Sequence, residues 1–284
     1  MDVAATHSQT SNVADKLVSL EKPHDDEYVT RQFDGYSLEA RILYNKNHDL
    51  PWLLSIHGAR ADYSKANPIS FGLQDRGISS LGVNMSGHSA TSPLLPEETS
   101  LGNNIREVRA FFDDLDPAKP AVVMAFSLGG TPALTLLEKY ADRISKLVLF
   151  YPGIYAKESY DKHYGEPFRA VISQPYSYRH NDTIPLLQKF KGKLLLIKGE
   201  YDGLDPVDYG KPAGTSAGQV EIDGKTYYSP IPKEVIELIK DVVPEARRTI
   251  IEVPKSDHTV IAWMREHPTE AQKILDQLAA FIAE

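Results

Sequence analysis

Six short apolar runs recur along this chain with helical stretches between them, and that alternation limits its fold more than any other feature. The runs are Trp52 to Ile56, Ile78 to Val83, Ala121 to Phe126, Lys146 to Phe150, Leu194 to Ile197 and Thr249 to Val253. Between or after them the pattern predicts helices over Pro68 to Arg76, Leu101 to Leu115, Thr131 to Tyr140, Pro232 to Val242 and Thr269 to Ala283. Strands that are apolar along nearly their whole length are buried on both faces. Alternating with amphipathic helices, they form a mostly parallel sheet with helices on each side. Ahead of the first run, Tyr28 to Phe33 and Tyr36 to Tyr44 are separated by Asp34-Gly35. An Asp-Gly pair between two such segments signals a hairpin, so antiparallel strands are expected at one edge. The expected class is therefore α/β, with a mostly parallel central sheet flanked by helices on both faces and an N-terminal antiparallel hairpin.

The 284 residues, 42% of them hydrophobic, suit one globular body with a large core. Residues 1–26 read as a polar tail with room for one short helix over Val13 to Leu20. Residues 27–151 and 193–284 read as the core, and 152–192 as a cap or lid insertion. The insertion interrupts the strand–helix rhythm and has Tyr151, Tyr155, Tyr160, Tyr164, Tyr176 and Tyr178 within it or at its edge. A second long connection, Asp205 to Pro232, contains a hairpin signal at Asp223-Gly224. Long connections of this kind are commonly binding loops, and tyrosine suits a pocket wall because it joins an apolar body to a polar tip. The alternative is a surface insertion whose tyrosines only cover the core.

In an open parallel sheet the loops at the carboxyl ends of the strands converge on one crevice. The residues just after each apolar run are therefore the ones to inspect. They are His57-Gly58-Ala59-Arg60, Asn84-Met85-Ser86-Gly87-His88-Ser89, Ser127-Leu128-Gly129-Gly130, Gly199-Glu200-Tyr201-Asp202 and Pro254-Lys255-Ser256-Asp257-His258. A serine, an aspartate and a histidine stand in that order at three successive core-strand ends. The stretch Ala125-Phe126-Ser127-Leu128-Gly129-Gly130 has small residues on both sides of its serine. A sharp strand-to-helix turn needs this, because larger side chains would clash there. Taken alone, the same stretch could be a tight turn with a capping serine.

From Glu27 to the C-terminus the chain resembles an α/β-hydrolase-fold protein. The order Ser, Asp, His matches that family's chain order. His57-Gly58 resembles its oxyanion loop. Gly87-His88-Ser89 resembles its Gly-His-Gly-x-Ser loop, with Asn84 and Ser86 in place of the usual aspartate and arginine. Gly199-Glu200-Tyr201-Asp202 resembles the acid loop, and Asp257-His258 the histidine loop. Ala125 stands where the common elbow motif has glycine.

The chemistry of these residue types fits the resemblance. A serine hydroxyl needs a base to take its proton, and His258 is the candidate. Asp202 would hold the other ring nitrogen and stabilise the imidazolium. Asp205, three residues on, is its rival, and Asp202 could instead be a turn former. The backbone N–H groups of Leu128 and Ala59 are the candidate oxyanion donors. Arg60, Tyr63, Tyr151 and Tyr155 are candidate substrate contacts. His57 reads as a prop for the oxyanion loop and His88 as structural. His7, His24, His48 and His267 read as surface residues, and His163 and His180 as part of the insertion.

The formal charge of −8, from 31 basic and 39 acidic residues, disfavours nucleic acid as a partner. The chain has no cysteine, which excludes disulfides, thiolate metal sites and a cysteine nucleophile. Serine at 127 excludes the aspartate-nucleophile members of the fold. No motif calls for a metal or cofactor, and no apolar stretch is long enough for a membrane span or a signal peptide, so a cytoplasmic setting is expected. The expected activity is a serine hydrolase acting on an ester, thioester or related acyl bond of a small molecule. The alternatives are a lyase, acyltransferase or cyclase using the same site, and a ligand receptor. The tyrosines suggest an aromatic or elongated apolar substrate, while Arg169 and Arg179 leave room for an acidic one. Oligomeric state has no signature in the sequence.

Overall fold

A computed structural model describes residues 25–284, so the helix expected over Val13 to Leu20 lies outside the described residues. Among the described residues there are ten strands: β1 (Asp26–Phe33), β2 (Tyr36–Leu43), β3 (Leu53–Ile56), β4 (Ser80–Val83), β5 (Ala121–Phe126), β6 (Ile144–Phe150), β7 (Lys193–Gly199), β8 (Gly218–Ile222), β9 (Lys225–Ser229) and β10 (Arg248–Val253). Eight of them form one sheet in the order β1-β2-β4-β3-β5-β6-β7-β10. From β4 to β10 every pairing is parallel, while β1–β2 and β2–β4 are antiparallel. The expected hairpin forms at Asp34-Gly35, where Gly35 takes φ +82°.

Burial follows the two-residue period of a strand. Val123 and Ala125 of β5, Leu147 and Leu149 of β6, and Leu194 and Leu196 of β7 join one apolar cluster. Their neighbours Val122, Met124, Phe126, Val148, Phe150, Leu195 and Ile197 join a second cluster on the opposite face. Helices α2 (Leu101–Phe112), α3 (Gly130–Thr135) and α7 (Lys233–Val242) cover the first face. Helices α1 (Asn67–Asp75), α8 (Val260–Glu266) and α9 (Pro268–Ala283) cover the second. Among the described residues no helix is long and apolar enough to cross a membrane.

Several elements depart from the sequence expectation. The helix expected over Thr131 to Tyr140 is split at Leu136 into α3 and α4 (Leu137–Tyr140). The Thr135 hydroxyl donates to the Pro132 carbonyl at 2.7 Å, and the Thr135 carbonyl accepts from Arg109 at 3.1 Å instead of from the helical ladder. Helix α2 stops at Phe112 rather than Leu115, with tighter turns over Asp114 and Leu115. Helix α8 was not foreseen: its apolar residues continue directly from the loop after β10, and Pro268 restarts the chain as α9. Strand β10 is an edge strand, paired only with β7, and Ile250 is exposed there while Glu252 pairs with Lys198 at 2.7 Å.

The 152–192 segment contains α5 (Glu166–Ile172) and α6 (Thr183–Lys189). Three of its tyrosines are held by hydrogen bonds, one within the segment and two to other parts of the chain. Tyr160 donates to Asp182 at 2.9 Å, Tyr164 to Asn104 at 2.6 Å and Tyr178 to Glu234 at 3.0 Å. Tyr164, Phe168, Tyr178 and Leu187 belong to the first apolar cluster. The Asp223-Gly224 signal produces a separate two-stranded ribbon, β8–β9.

Gly129, at the start of the helical segment after β5, presses against β3. A Cβ there would lie 2.6 Å from the His57 carbonyl oxygen and 2.8 Å from that of Ile56. Gly129→Ala should destabilise the protein by about 1–3 kcal/mol, the usual range for overpacking. For a chain of this size that lowers Tm by roughly 2–4 °C per kcal/mol. Thermal denaturation followed by circular dichroism measures it, and an unchanged Tm would mean the contact relaxes freely.

Candidate active site

Strand β5 ends in extended backbone at Phe126 (φ −120°, ψ 129°), and Ser127 then takes φ +49°. A non-glycine residue in the left-handed region is held there by its surroundings at some cost. Two contacts hold it: the Ser127 carbonyl accepts the Gly153 N–H at 2.7 Å, and Gly58 comes so close that a Cβ on it would lie 3.1 Å from the Ser127 Cβ. The turn lifts the serine hydroxyl out of the sheet. Leu128 follows in a 3₁₀ turn, so its N–H is among the donors that a helix start leaves without an internal partner.

Asp202 follows β7 and is buried. Its Oδ1 accepts the Gly203 N–H at 2.9 Å and the Ile231 N–H at 3.4 Å. Its Oδ2 lies 2.6 Å from His258 Nδ1, and His258 Nε2 lies 2.9 Å from Ser127 Oγ. With the carboxylate accepting from Nδ1–H, Nε2 is left as the acceptor for the serine hydroxyl. The three residues expected from the strand ends thus form one hydrogen-bonded chain. Asp205 points elsewhere: its carboxylate pairs with Lys233 at 3.1 Å, and that contact holds its pKa below the usual range.

The other histidines fall into place around this chain. His57 is buried, accepts the Met85 N–H at Nε2 (2.9 Å) and donates from Nδ1 to the Gly58 carbonyl (2.7 Å). Burial, helped by the nearby His88, lowers its pKa to about 4. His88 bonds Asn104 at 2.8 Å. Asn104 donates in turn to Glu107 at 2.9 Å, and the Glu107 carboxylate also takes the Ser86 and Tyr36 hydroxyls, both at 2.6 Å. The histidines at 57 and 88 therefore belong to the scaffold beneath the loop after β3. His48 pairs with Asp25 at 2.7 Å, His267 bonds the Trp263 carbonyl at 2.9 Å, and His163 and His180 are exposed.

A cleft of about 180 Å³ opens beside Ser127. Its wall includes Ala59, Ala66, Phe126, Tyr151, Ile261 and Ala262, with His57, Lys65, His258 and Thr259 as polar members. Of the four candidate substrate contacts, only Tyr151 lines it. Tyr151 takes φ +38°, and its ring centre lies 4.5 Å from that of His258. The other three are corrected by their surroundings. Arg60 is exposed at φ +55° and does not line the cleft. Tyr63 donates to Glu39 at 2.7 Å beneath the Arg41 guanidinium. Tyr155 packs against Phe168 with ring centres 5.4 Å apart. No residue of 152–192 lines this cleft.

Sequence reasoning missed how the histidine loop is held. The His258 N–H donates to the Tyr228 carbonyl at 3.0 Å, and the Tyr228 N–H donates to Asp257 Oδ2 at 2.7 Å. Asp257 Oδ1 takes the Thr259 N–H at 2.8 Å and the Thr259 hydroxyl at 2.6 Å. Ser229 Oγ accepts the Leu204 N–H at 3.1 Å. The β8–β9 ribbon thus bonds both the acid loop and the histidine loop. The Asp223-Gly224 signal revealed the ribbon, but nothing in the sequence shows where it docks. Gly199 is required here as well, since a Cβ on it would lie 2.2 Å from the Asp257 carbonyl oxygen.

The sequence family described as serine aminopeptidase, S33, matches residues 51–199, just over half of the chain. The chain belongs to that family of α/β-hydrolases. No curated protein matches it in sequence. Among solved structures, it is similar to a thioesterase domain from the curacin biosynthetic pathway (13% identity, TM-score 0.59, 89% of this chain and 100% of the other). It is also similar to an esterase of Pyrobaculum calidifontis (17% identity, TM-score 0.57, 99% and 92%). A third is Est1E from Butyrivibrio proteoclasticus with bound ferulic acid (15% identity, TM-score 0.59, 90% and 100%). At these identities the likeness establishes the shared fold.

The buried His57 gives this family member a dependence on pH. Its folded pKa, about 4, lies below the unfolded value near 6.5. Between those values the unfolded chain binds more protons, so stability is full above about pH 6.5 and falls as pH drops toward 4. The His57 contribution is of order 3 kcal/mol, and burial lowers His88 in the same sense. Urea unfolding at pH 7.5 and 4.5 should show the loss, and His57→Gln should lose less over the same interval. Equal losses in the two proteins would remove His57 as the cause.

Proposed function

We propose that this chain is a serine hydrolase that cleaves an ester, thioester or related acyl bond of a small molecule through an acyl-enzyme. The observation that carries the reading is the Ser127–His258–Asp202 hydrogen-bond chain, with contacts of 2.9 and 2.6 Å, at the edge of an apolar cleft. Ser127 Oγ attacks the carbonyl carbon and gives its proton to His258 Nε2. Asp202 stabilises the resulting imidazolium. Negative charge on the former carbonyl oxygen is met by the N–H groups of Leu128 and Ala59. His258 then protonates the leaving group, and the C–O or C–S bond breaks. A water molecule, deprotonated by the same imidazole, releases the acid and restores Ser127.

Two further observations support this choice. Ala59, Lys65 and Thr259 are exposed in the wall of the cleft, so water reaches the acyl-enzyme, which favours hydrolysis over a lyase, transfer or cyclisation outcome. The wall carries no carboxylate to receive the α-ammonium of a peptide, so an acyl substrate suits it better than a free amino terminus. The thioesterase and esterase among the fold neighbours are in keeping with this chemistry. The reading includes a cytoplasmic setting and needs no metal or cofactor.

A fluorophosphonate reagent should label the wild-type protein at Ser127 and leave Ser127→Ala unlabelled. With p-nitrophenyl butyrate, Asp202→Asn should lower kcat by about 10³–10⁴-fold with little change in KM, because the imidazole loses its tautomer and its charge partner. Labelling or full turnover by Ser127→Ala would refute the proposal.

A further inference from the structure

Lys65 is the only side chain in the cleft wall with a fixed charge. It stands near the end of the short helical turn Tyr63–Ala66 and shares the cleft wall with Thr259 and Ala262. Several cations on this acidic chain have a carboxylate partner. Arg31, Arg109, Lys119, Arg179, Lys198 and Lys233 all pair with Asp or Glu within 3.4 Å. Among the described residues, none pairs with Lys65. The nearest acid in sequence, Asp62, is occupied by the Ser64 N–H at 2.8 Å and by the Ser64 hydroxyl. The Lys65 carbonyl accepts from Arg265 at 3.5 Å.

Pockets of this kind are mostly apolar, and the few polar groups in them set orientation and specificity. A compact ammonium suits a compact anion such as a carboxylate, which it holds as a point charge. The cleft volume of about 180 Å³ is below the roughly 300–1,000 Å³ typical of drug-sized ligands, so the group it takes is short. We propose that Lys65 selects substrates whose small acyl ester carries one carboxylate, with that carboxylate at the rim and the apolar chain against Ala66, Ile261 and Ala262. This rests on the hydrolase reading of the same site and narrows its substrate class. It also departs from the aromatic or elongated substrate that the tyrosine-rich segment suggests, since that segment does not line the cleft.

The test compares p-nitrophenyl esters of matched length: the monoester of glutaric acid and the neutral ester of pentanoic acid. A third ester, of butyric acid with 4-hydroxybenzoate, carries the charge in the leaving group, so the set shows which half of the substrate meets the lysine. For the wild type, kcat/KM should favour one anionic ester over the neutral one by about 1.5- to five-fold, the range expected of an exposed ion pair. The preference should shrink as salt is raised. In Lys65→Met the ratio should fall to about one, and in Lys65→Glu it should invert.

Binding to Ser127→Ala, measured calorimetrically with the anilides of glutaric and pentanoic acids, separates the two claims. Ester turnover that depends on Ser127 but shows no charge preference would overturn the role of Lys65 and leave the hydrolase reading intact. No turnover of any ester would count against the hydrolase reading. Tighter binding of the anionic anilide, lost when Lys65→Met is added, would still support the lysine. Equal binding of the two anilides would overturn it.

Discussion

The close approach of β3 to the turn after β5 is the contact around which the site is built. Gly129 lets backbone meet backbone where no Cβ fits, Gly58 packs tightly against the Ser127 Cβ, and this closeness holds Ser127 in its left-handed conformation. Two neighbouring parallel strands, paired from Leu53 with Val122 to Ile56 with Ala125, bring the loop at Ala59 and the start of the helix at Leu128 to the same side of one serine. The local strain is small beside the burial of the strands, whose alternate residues feed two apolar clusters. The sheet holds hydroxyl, imidazole and carboxylate within hydrogen-bond reach, because each follows directly on a strand whose spacing is set by main-chain hydrogen bonds.

Beneath that contact is a second, polar layer. Glu107 is fully buried, yet its carboxylate accepts from two hydroxyls, a backbone N–H and an amide. An unpartnered buried charge would cost several kcal/mol, whereas this one is solvated by the protein itself. Asn104 links it to His88, whose ring lies 5.8 Å from that of His57. The neutral His57 then ties the loop after β3 to the loop after β4 through Met85. In this way a structural network beneath the sheet sets the position of the loop after β3.

Much of this was legible in the sequence where a pattern is local. The parallel strands announced themselves as apolar runs, and β5 has the bounds its composition implies. Strand ends carry loops to one crevice, so residues at 127, 202 and 258 could be placed together before their distances were known. What stayed hidden depends on tertiary partners. Nothing local shows that the Thr135 carbonyl prefers an arginine to its own helix, nor that the run Thr249 to Val253 lies at an edge. The tyrosines of 152–192 looked suited to a pocket, but Tyr160, Tyr164 and Tyr178 bond to acidic and amide partners and close the core instead. The ribbon that docks on the histidine loop was visible as a hairpin, while its destination, decided by the Tyr228 and Asp257 contacts, was not.

The imidazole is carried by the loop that follows β10, the least buried of the parallel strands and one with a neighbour on one side only. Outlying elements of this kind open at lower free energy than a protein's centre. Fraying at this margin would withdraw the imidazole from the hydroxyl while the middle strands remained intact. Warming should therefore silence the enzyme at temperatures where its sheet is still largely folded, and the β8–β9 ribbon serves as the strut that postpones that failure.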